Sequence, residues 1–183
     1  MSLRSKIEIR QAELQDVKEI ADIYNHAISE RIATFESEPR SEKAIREWLR
    51  VHDTNHPVLV VLLNNNHEQT DSKFSGRVVA WASVSSYRPR ACYSGIGEFS
   101  IYVKEGFRGS GIGKKLLDEL IEKSKELGYW KLLSRIFTFN VASRELCKKC
   151  GFREVGVYEK HGRLDGKWID TVIVERLIPE NIN

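Results

Sequence analysis

The stretch Tyr102-Val103-Lys104-Glu105-Gly106-Phe107-Arg108-Gly109-Ser110-Gly111-Ile112-Gly113-Lys114-Lys115 sets the fold of this chain. Upstream of it Phe99, Ile101 and Val103 share one face and Glu98, Ser100 and Tyr102 the other, the alternation of a strand from about Tyr93 to Val103. Downstream, Leu116, Leu117, Leu120, Ile121 and Leu127 mark one face of a helix that starts at Lys114 and is closed by Gly128. A glycine-rich turn between a strand and a helix lets successive main-chain N–H groups point inward with no side chain in the way. The helix dipole adds to the attraction for an anion, and a pyrophosphate is the natural guest. A P-loop needs Ser or Thr after its lysine, but Lys115 follows Lys114. A dinucleotide fingerprint needs two residues between its second and third glycines, but only Ile112 separates Gly111 from Gly113. Both are excluded. The bland alternative is a glycine hairpin without a ligand, and the strand-to-helix context argues against it.

Moving outward, Ile7 to Arg10 alternates as a short strand. Val17, Ile20, Ala21, Ile23, Tyr24, Ala27 and Ile28 share one helical face, and residues 34–40 read as a loop. Ser41 is the expected N-cap of a helix carrying Ala44, Ile45, Trp48 and Leu49. Pro57 precedes a strand from Val58 to Leu63; the polar run from Asn64 to Lys73 is expected as an exposed, mobile hairpin loop. A strand through Val78 to Val84 follows, then strands at Lys131 to Phe137, Phe152 to Tyr158 and Trp168 to Leu177. Ser143 to Cys150 is expected as a short helix ended by Gly151. With no repeat and no linker, this is one α+β domain over residues 1–183 on a mixed sheet, its core spanning about 7–177.

Composition agrees. Of 183 residues, 41% are hydrophobic, 9% aromatic and 30% charged, which excludes a wholly disordered chain. The net charge of +3 is too small to announce a nucleic-acid partner. No apolar run approaches the ~18 residues of a membrane span, and the N-terminus lacks the apolar segment of a signal peptide. Three cysteines argue for a reducing, cytoplasmic setting rather than a disulfide framework.

Arg108-Gly109-Ser110-Gly111-Ile112-Gly113 resembles the Arg/Gln-x-x-Gly-x-Gly/Ala signature of the GNAT N-acetyltransferase superfamily. Asn140-Val141-Ala142-Ser143, with Leu146 and Gly151-Phe152, is similar to that family's second coenzyme segment. Further resemblance lies in Ile23-Tyr24-Asn25, Thr34-Phe35-Glu36, Arg88-Pro89-Arg90 with Tyr93, Glu98 with Ile101-Tyr102-Val103, and residues 162–170 around Trp168. The subgroup most resembled is that of phosphinothricin and methionine sulfoximine acetyltransferases. The resemblance implies an α/β/α layered domain whose central twisted sheet is mixed, mostly antiparallel and flanked by helices. It implies acetyl-coenzyme A as cosubstrate, held by Ile101, Tyr102, Val103, Arg108, Gly109, Ser110, Gly111, Ile112, Gly113, Lys114, Asn140 and Ser143. It also implies a homodimer, which the tail strands permit.

Acetyl transfer needs a neutral amine, so some group must take a proton from the ammonium. Glu98 stands mid-strand among Ile96, Phe99 and Ile101, one short step before the glycine loop, and the resemblance implies for it the role of general base. Ile101 to Val103 would supply main-chain N–H to the oxyanion. The superfamily's usual tyrosine acid is replaced by Cys147, which leaves water, Cys147 itself or no acid. For the acceptor, Arg88 and Arg90, stiffened by Pro89, suit an oxyanion, and Phe35, Tyr93, Phe99 and Ser100 complete the expected substrate contacts. Tyr24 and Trp168 are further candidates for pocket walls, with His26 and His161 within reach. Cys147 and Cys150 read as core packing, and no metal is expected. The expected activity is acetylation of the amino group of a small amino acid or analogue. A protein N-terminus, a polyamine, or a non-catalytic acyl-coenzyme A sensor are the alternatives.

Overall fold

The computed structural model describes residues 6–52, 55–64 and 76–182. Residues 1–5 and the polar run from 65 onward, expected as a hairpin loop, lie outside the described residues. In chain order the elements are β1 (Lys6–Gln11), α1 (Val17–Glu30), α2 (Glu42–Val51), β2 (Val58–Asn64), β3 (Gly76–Ser86), β4 (Ile96–Val103), α3 (Ile112–Glu126), β5 (Lys131–Phe137), α4 (Val141–Lys149), β6 (Arg153–Leu164) and β7 (Lys167–Leu177). The strands form one seven-stranded sheet in the order β1-β2-β3-β4-β5-β7-β6. Every neighbouring pair is antiparallel except β4 and β5, the parallel junction that makes the sheet mixed.

Period-2 alternation divides the strand side chains between two cores. Val58, Val60, Val78 and Trp81 point to the side covered by Ile20, Ile23 and Ile45 of α1 and α2. Leu59, Val61, Ala82 and Phe99 point to the other, under Leu116, Leu117 and Leu120 of α3 and Cys147 of α4. Those three leucines are fully buried, each contributing about 1.5–3 kcal/mol of apolar burial. No helix among the described residues is long and apolar enough to cross a membrane.

The element boundaries differ from the expected ones where a side chain outweighs the local pattern. Residues 91–93 form a 3-10 turn, so β4 starts at Ile96 rather than near Tyr93. α3 begins at Ile112, whose buried side chain joins the core, and α4 begins at Val141 because Asn140 Oδ1 accepts from Ser143 N at 3.1 Å. Ser41 caps α2 as expected, accepting from Ala44 N at 3.2 Å. β6 runs on to Leu164 because a register shift between Tyr158 and Gly162 absorbs the extra residues. Lys160, at φ 49°, donates its N–H to Asp170 Oδ1 at 2.6 Å there, so the connection expected between Tyr158 and Trp168 shrinks to Asp165-Gly166.

The β4–β5 junction positions everything that follows. Three pairs hold it: Ile96 with Lys131, Gly97 with Leu132 and Glu98 with Leu133. The paired end is tight because two glycines line it. A Cβ on Gly95 would lie 2.0 Å from the Trp130 ring, and one on Gly97 2.5 Å from Val84. Beyond Glu98 the pairing stops, although β4 continues to Val103 and β5 to Phe137. The strands splay there. From Phe99 to Val103, β4 has β3 on one edge and, among the described residues, no strand on the other, which leaves main-chain amides on that open edge for a ligand.

Candidate active site

Where β4 and β5 part, a cleft of about 660 Å³ opens on the α1 side of the sheet. Glu98, Ser100 and Tyr102 line it from β4, and Ser134, Arg135 and Phe137 from β5. The segment after α1 roofs it with Thr34 and Phe35, and His161 enters from β6. Phe99 borders the cleft with its ring in the core, packed on Phe152 at a centroid distance of 4.9 Å.

Glu98 is three-quarters buried and paired with Arg135, whose Nε donates to Glu98 Oε1 at 3.0 Å and whose Nη2 donates to the same oxygen. Strand alternation did not single out Arg135 as a site residue. The signal was nonetheless present, since a lone arginine stands between Leu133 and Phe137 on one apolar strand face. Tyr102 and Tyr24 meet edge to face at 5.0 Å, and Tyr24 Oη lies 3.5 Å from Thr34 Oγ1. Burial pushes the Tyr102 phenol well above its ordinary range, with the neighbouring Tyr24 acting in the same direction.

The roofing segment is held at both ends. Asn25 Nδ2 donates to Arg40 O at 2.9 Å, and Asn25 Oδ1 accepts from Arg40 N at 2.8 Å. Phe35 packs on Phe137 at 4.7 Å and meets the backbone of Gly162, where a Cβ would fall 2.6 Å from its ring. Arg31 closes α1 in the left-handed conformation, at φ 59°. Its Nη1 donates to the carbonyls of Ile28, Glu36 and Ser37, and its Nε reaches Asp165 at 2.9 Å. The loop therefore touches the tip of the β6–β7 hairpin directly.

Behind the open edge of β4 lies the glycine loop. Gly106, Gly109 and Gly111 have φ of 83°, 75° and 88°, a backbone that L side chains rarely adopt, and a Cβ on any of them would meet nothing within 4 Å. Gly111 is the N-cap of α3 and brings no side-chain cap, so the first amides of that helix face outward without a side-chain acceptor. At Gly113 the constraint is contact instead, with Val103 and Leu146 each 3.4 Å from a Cβ. Empty space, helix-start amides without a side-chain acceptor and the adjacent open strand edge together fit a pyrophosphate followed by an amide-bearing arm. Ser110 Oγ donates to Phe107 O at 2.5 Å and braces the turn.

Two cationic residues of this stretch, Arg108 and Lys114, are already paired. Arg108 Nη1 and Nη2 donate to the two Glu30 oxygens at 2.7 and 2.6 Å, and Nε donates to Val103 O at 3.0 Å. That hydrogen-bonded partner holds the Glu30 carboxyl below its usual range. Lys114 pairs with Asp118 at 2.6 Å, and His26 lies 3.2 Å from Glu105 on the loop side rather than in the cleft. Asn140 donates from Nδ2 to Ile32 O at 3.0 Å while capping Ser143, so it fastens α4 to the roofing segment.

Other expected site residues lie elsewhere. Arg88, Arg90 and Tyr93 do not line the cleft. They stand on the exposed segment leading into β4, with the Arg88 guanidinium over the Tyr87 ring at 5.1 Å and Tyr93 against Tyr87 at 5.7 Å. Trp168 is exposed beneath the Arg163 guanidinium at 5.3 Å. Cys147 and Cys150 are core residues, and burial pushes their thiols up to about 12 and about 11. Cys147 does not line the cleft, which removes it as the acid facing a leaving group there. Among the described residues no three His, Cys, Asp or Glu side chains converge as metal ligands.

Residues 20–152 match the profile of the acetyltransferase (GNAT) family. A phosphinothricin N-acetyltransferase of Alcaligenes faecalis is 31% identical over 94% of this chain and 83% of its own. An L-methionine sulfoximine/L-methionine sulfone acetyltransferase of Pseudomonas aeruginosa is 29% identical over 91% of this chain and 92% of its own. In structure, a phosphinothricin acetyltransferase of Sinorhizobium meliloti in complex with acetyl-CoA superposes with a TM-score of 0.83 at 29% identity, over 94% of this chain and 88% of that one.

Proposed function

Because the chain belongs to the GNAT acetyltransferase family, we propose that it transfers the acetyl group of acetyl-CoA to the α-amino group of a small amino acid or amino-acid analogue, with Glu98 as general base. The observation that carries this reading is Glu98 itself, a largely buried carboxylate lining a cleft at the point where two strands part beside the glycine loop. The glycine loop and the uncapped start of α3 would hold the pyrophosphate, and the open edge of β4 the amide arm. When bound, acetyl-CoA supplies an activated thioester carbonyl. Glu98 accepts a proton from the acceptor ammonium, directly or through one water, and frees the nitrogen lone pair for attack. A main-chain N–H of the β4 edge donates to the carbonyl oxygen as negative charge gathers there. The C–N bond forms, the C–S bond breaks, the nitrogen sheds its second proton to water as the amide forms, and the thiolate takes up a proton from solvent or departs unprotonated. No acyl-enzyme is involved.

A cleft of this volume suits a small acceptor better than a protein N-terminus, and a polyamine would call for more carboxylates than Glu98 and the Arg40-paired Glu36. The reading includes a cytoplasmic homodimer. Its support is the edge strand β6, which exposes Val155, Val157 and Tyr158 beside an unpaired backbone edge. Sedimentation tests the dimer. Thioester consumption with a panel of amino acids, including methionine sulfone and phosphinothricin, tests the acceptor class. Glu98→Gln is expected to lower kcat by roughly 10²–10⁴-fold and leave acetyl-CoA affinity nearly intact. An unchanged pH–rate profile in that variant would defeat the base assignment.

A further inference from the structure

The geometry points to Arg135 as the residue that recognises the acceptor's carboxylate, so that the site selects zwitterions by exchanging its internal Glu98–Arg135 pair for the ammonium and carboxylate of the substrate. This rests on the amino-acid reading above.

In an α-amino acid the ammonium nitrogen and the carboxylate are attached to one carbon. A site that grips both therefore needs an anion and a cation side by side. Glu98 and Arg135 stand so, with Nε 3.0 Å from Oε1. Arg135 is also the only Lys or Arg lining the cleft among the described residues. The other acidic side chain there, Glu36, is engaged by Arg40 at 2.6 Å.

The pair leaves room for the exchange. Both bonds from Arg135 to Glu98 fall on Oε1, and neither Arg135 Nη1 nor Glu98 Oε2 makes a hydrogen bond among the described residues. A guanidinium presents five donors in a planar fork, so a substrate carboxylate can dock on the unused edge. With side-chain exposures of 42% and 23% the pair faces solvent, where such ion pairs are weak and easily replaced. Transfer of the acetyl group removes the charge on nitrogen, so the product loses its hold on Glu98 and keeps a single contact at Arg135. Arg88 and Arg90, the cations first expected in this role, stand outside the cleft.

The test compares kcat/KM for methionine sulfone, its carboxamide and its decarboxylated amine in the wild type, Arg135→Gln and Arg135→Lys. The wild type should strongly prefer the acid. Arg135→Gln should shrink that preference by roughly 10- to 100-fold, the loss of a charge-assisted hydrogen bond, over and above whatever change its lost bond to Glu98 brings to all three acceptors alike. Arg135→Lys should restore part of it, and acetyl-CoA affinity should stay unchanged in both. An equal loss for all three acceptors would overturn the proposal, since it would mean that Arg135 only positions Glu98. So would a preference that survives Arg135→Gln, or one that collapses in Arg88→Gln instead. Failure of the wild type to acetylate any amino acid in the panel would strike at the acceptor reading itself and is thus distinguishable.

Discussion

Arg108 of the glycine loop grips Glu30 at the end of α1 through two parallel hydrogen bonds of 2.7 and 2.6 Å. The next residue, Arg31, reaches Asp165 at the hairpin tip, so the loop expected to bind coenzyme is one residue away from the roof of the acceptor cleft. The glycine loop and the roof of the cleft share this short strut.

The strut is pH-sensitive with a defined sign. The folded Glu30 carboxyl is held below its ordinary value, chiefly by the hydrogen-bonded Arg108. Its contribution to stability is full above the unfolded value of about 4.3 and is lost as pH falls through the folded one. Glu30→Gln should lower stability at pH 7 by about 0.5–1 kcal/mol, a figure discounted for the partly exposed Arg108. Urea melts at pH 7 and pH 3 check this. A gap between variant and wild type that did not narrow in acid would place the stabilisation elsewhere.

At Gly162 the requirement is space. A Cβ there would lie 2.6 Å from the Phe35 ring, which itself packs on Phe137. Gly162→Ala should push Phe35 off its seat and raise KM for the acceptor several-fold, with acetyl-CoA affinity unaltered. Isothermal titration alongside steady-state kinetics separates the two effects; a weakened coenzyme with a normal acceptor KM would contradict the assignment.

The three cysteines should react in two classes. Cys92 is exposed, whereas Cys147 and Cys150 are buried with thiols pushed up to about 12 and about 11. At pH 8 the thiolate fraction of Cys147 is on the order of 10⁻⁴, so alkylation should label one site quickly and the other two only on unfolding. Mass spectrometry after a short pulse of iodoacetamide reads this directly. Rapid labelling of Cys147 would show that its sulfur reaches solvent.

Local periodicity carried most of the fold. Alternation in residues 96–103 and the helical stripe from Leu116 to Ile121 both translate into observed faces, because each side chain's burial follows from its own strand or helix. The same alternation put Glu98 on the polar face of its strand, while its expected role came from the family resemblance and not from the pattern. Arg135 was not legible, because its importance arises across 37 residues of sequence, where β5 meets β4 and then diverges. The pairing of Arg108 with Glu30 spans 78 residues and was equally hidden. Arg88 and Arg90 illustrate the converse. Their spacing around Pro89 suggested a forked anion site, but the exposed segment that carries them runs outside the cleft, and the course of a connecting segment follows the strands it joins rather than its own spacing.

The lone parallel junction has a wider meaning. Antiparallel neighbours can be joined by a tight hairpin, whereas parallel ones oblige the chain to leave the sheet and return by a crossover. Here that excursion departs from the carboxyl end of β4, runs through the glycine loop and returns along α3 to β5. A single choice of chain polarity thus accounts both for the seam between β4 and β5 and for the helix start that overlooks it. Reversing β5 would close the seam and abolish the excursion together. The chemistry of this protein is, in that sense, a by-product of the direction in which one strand runs.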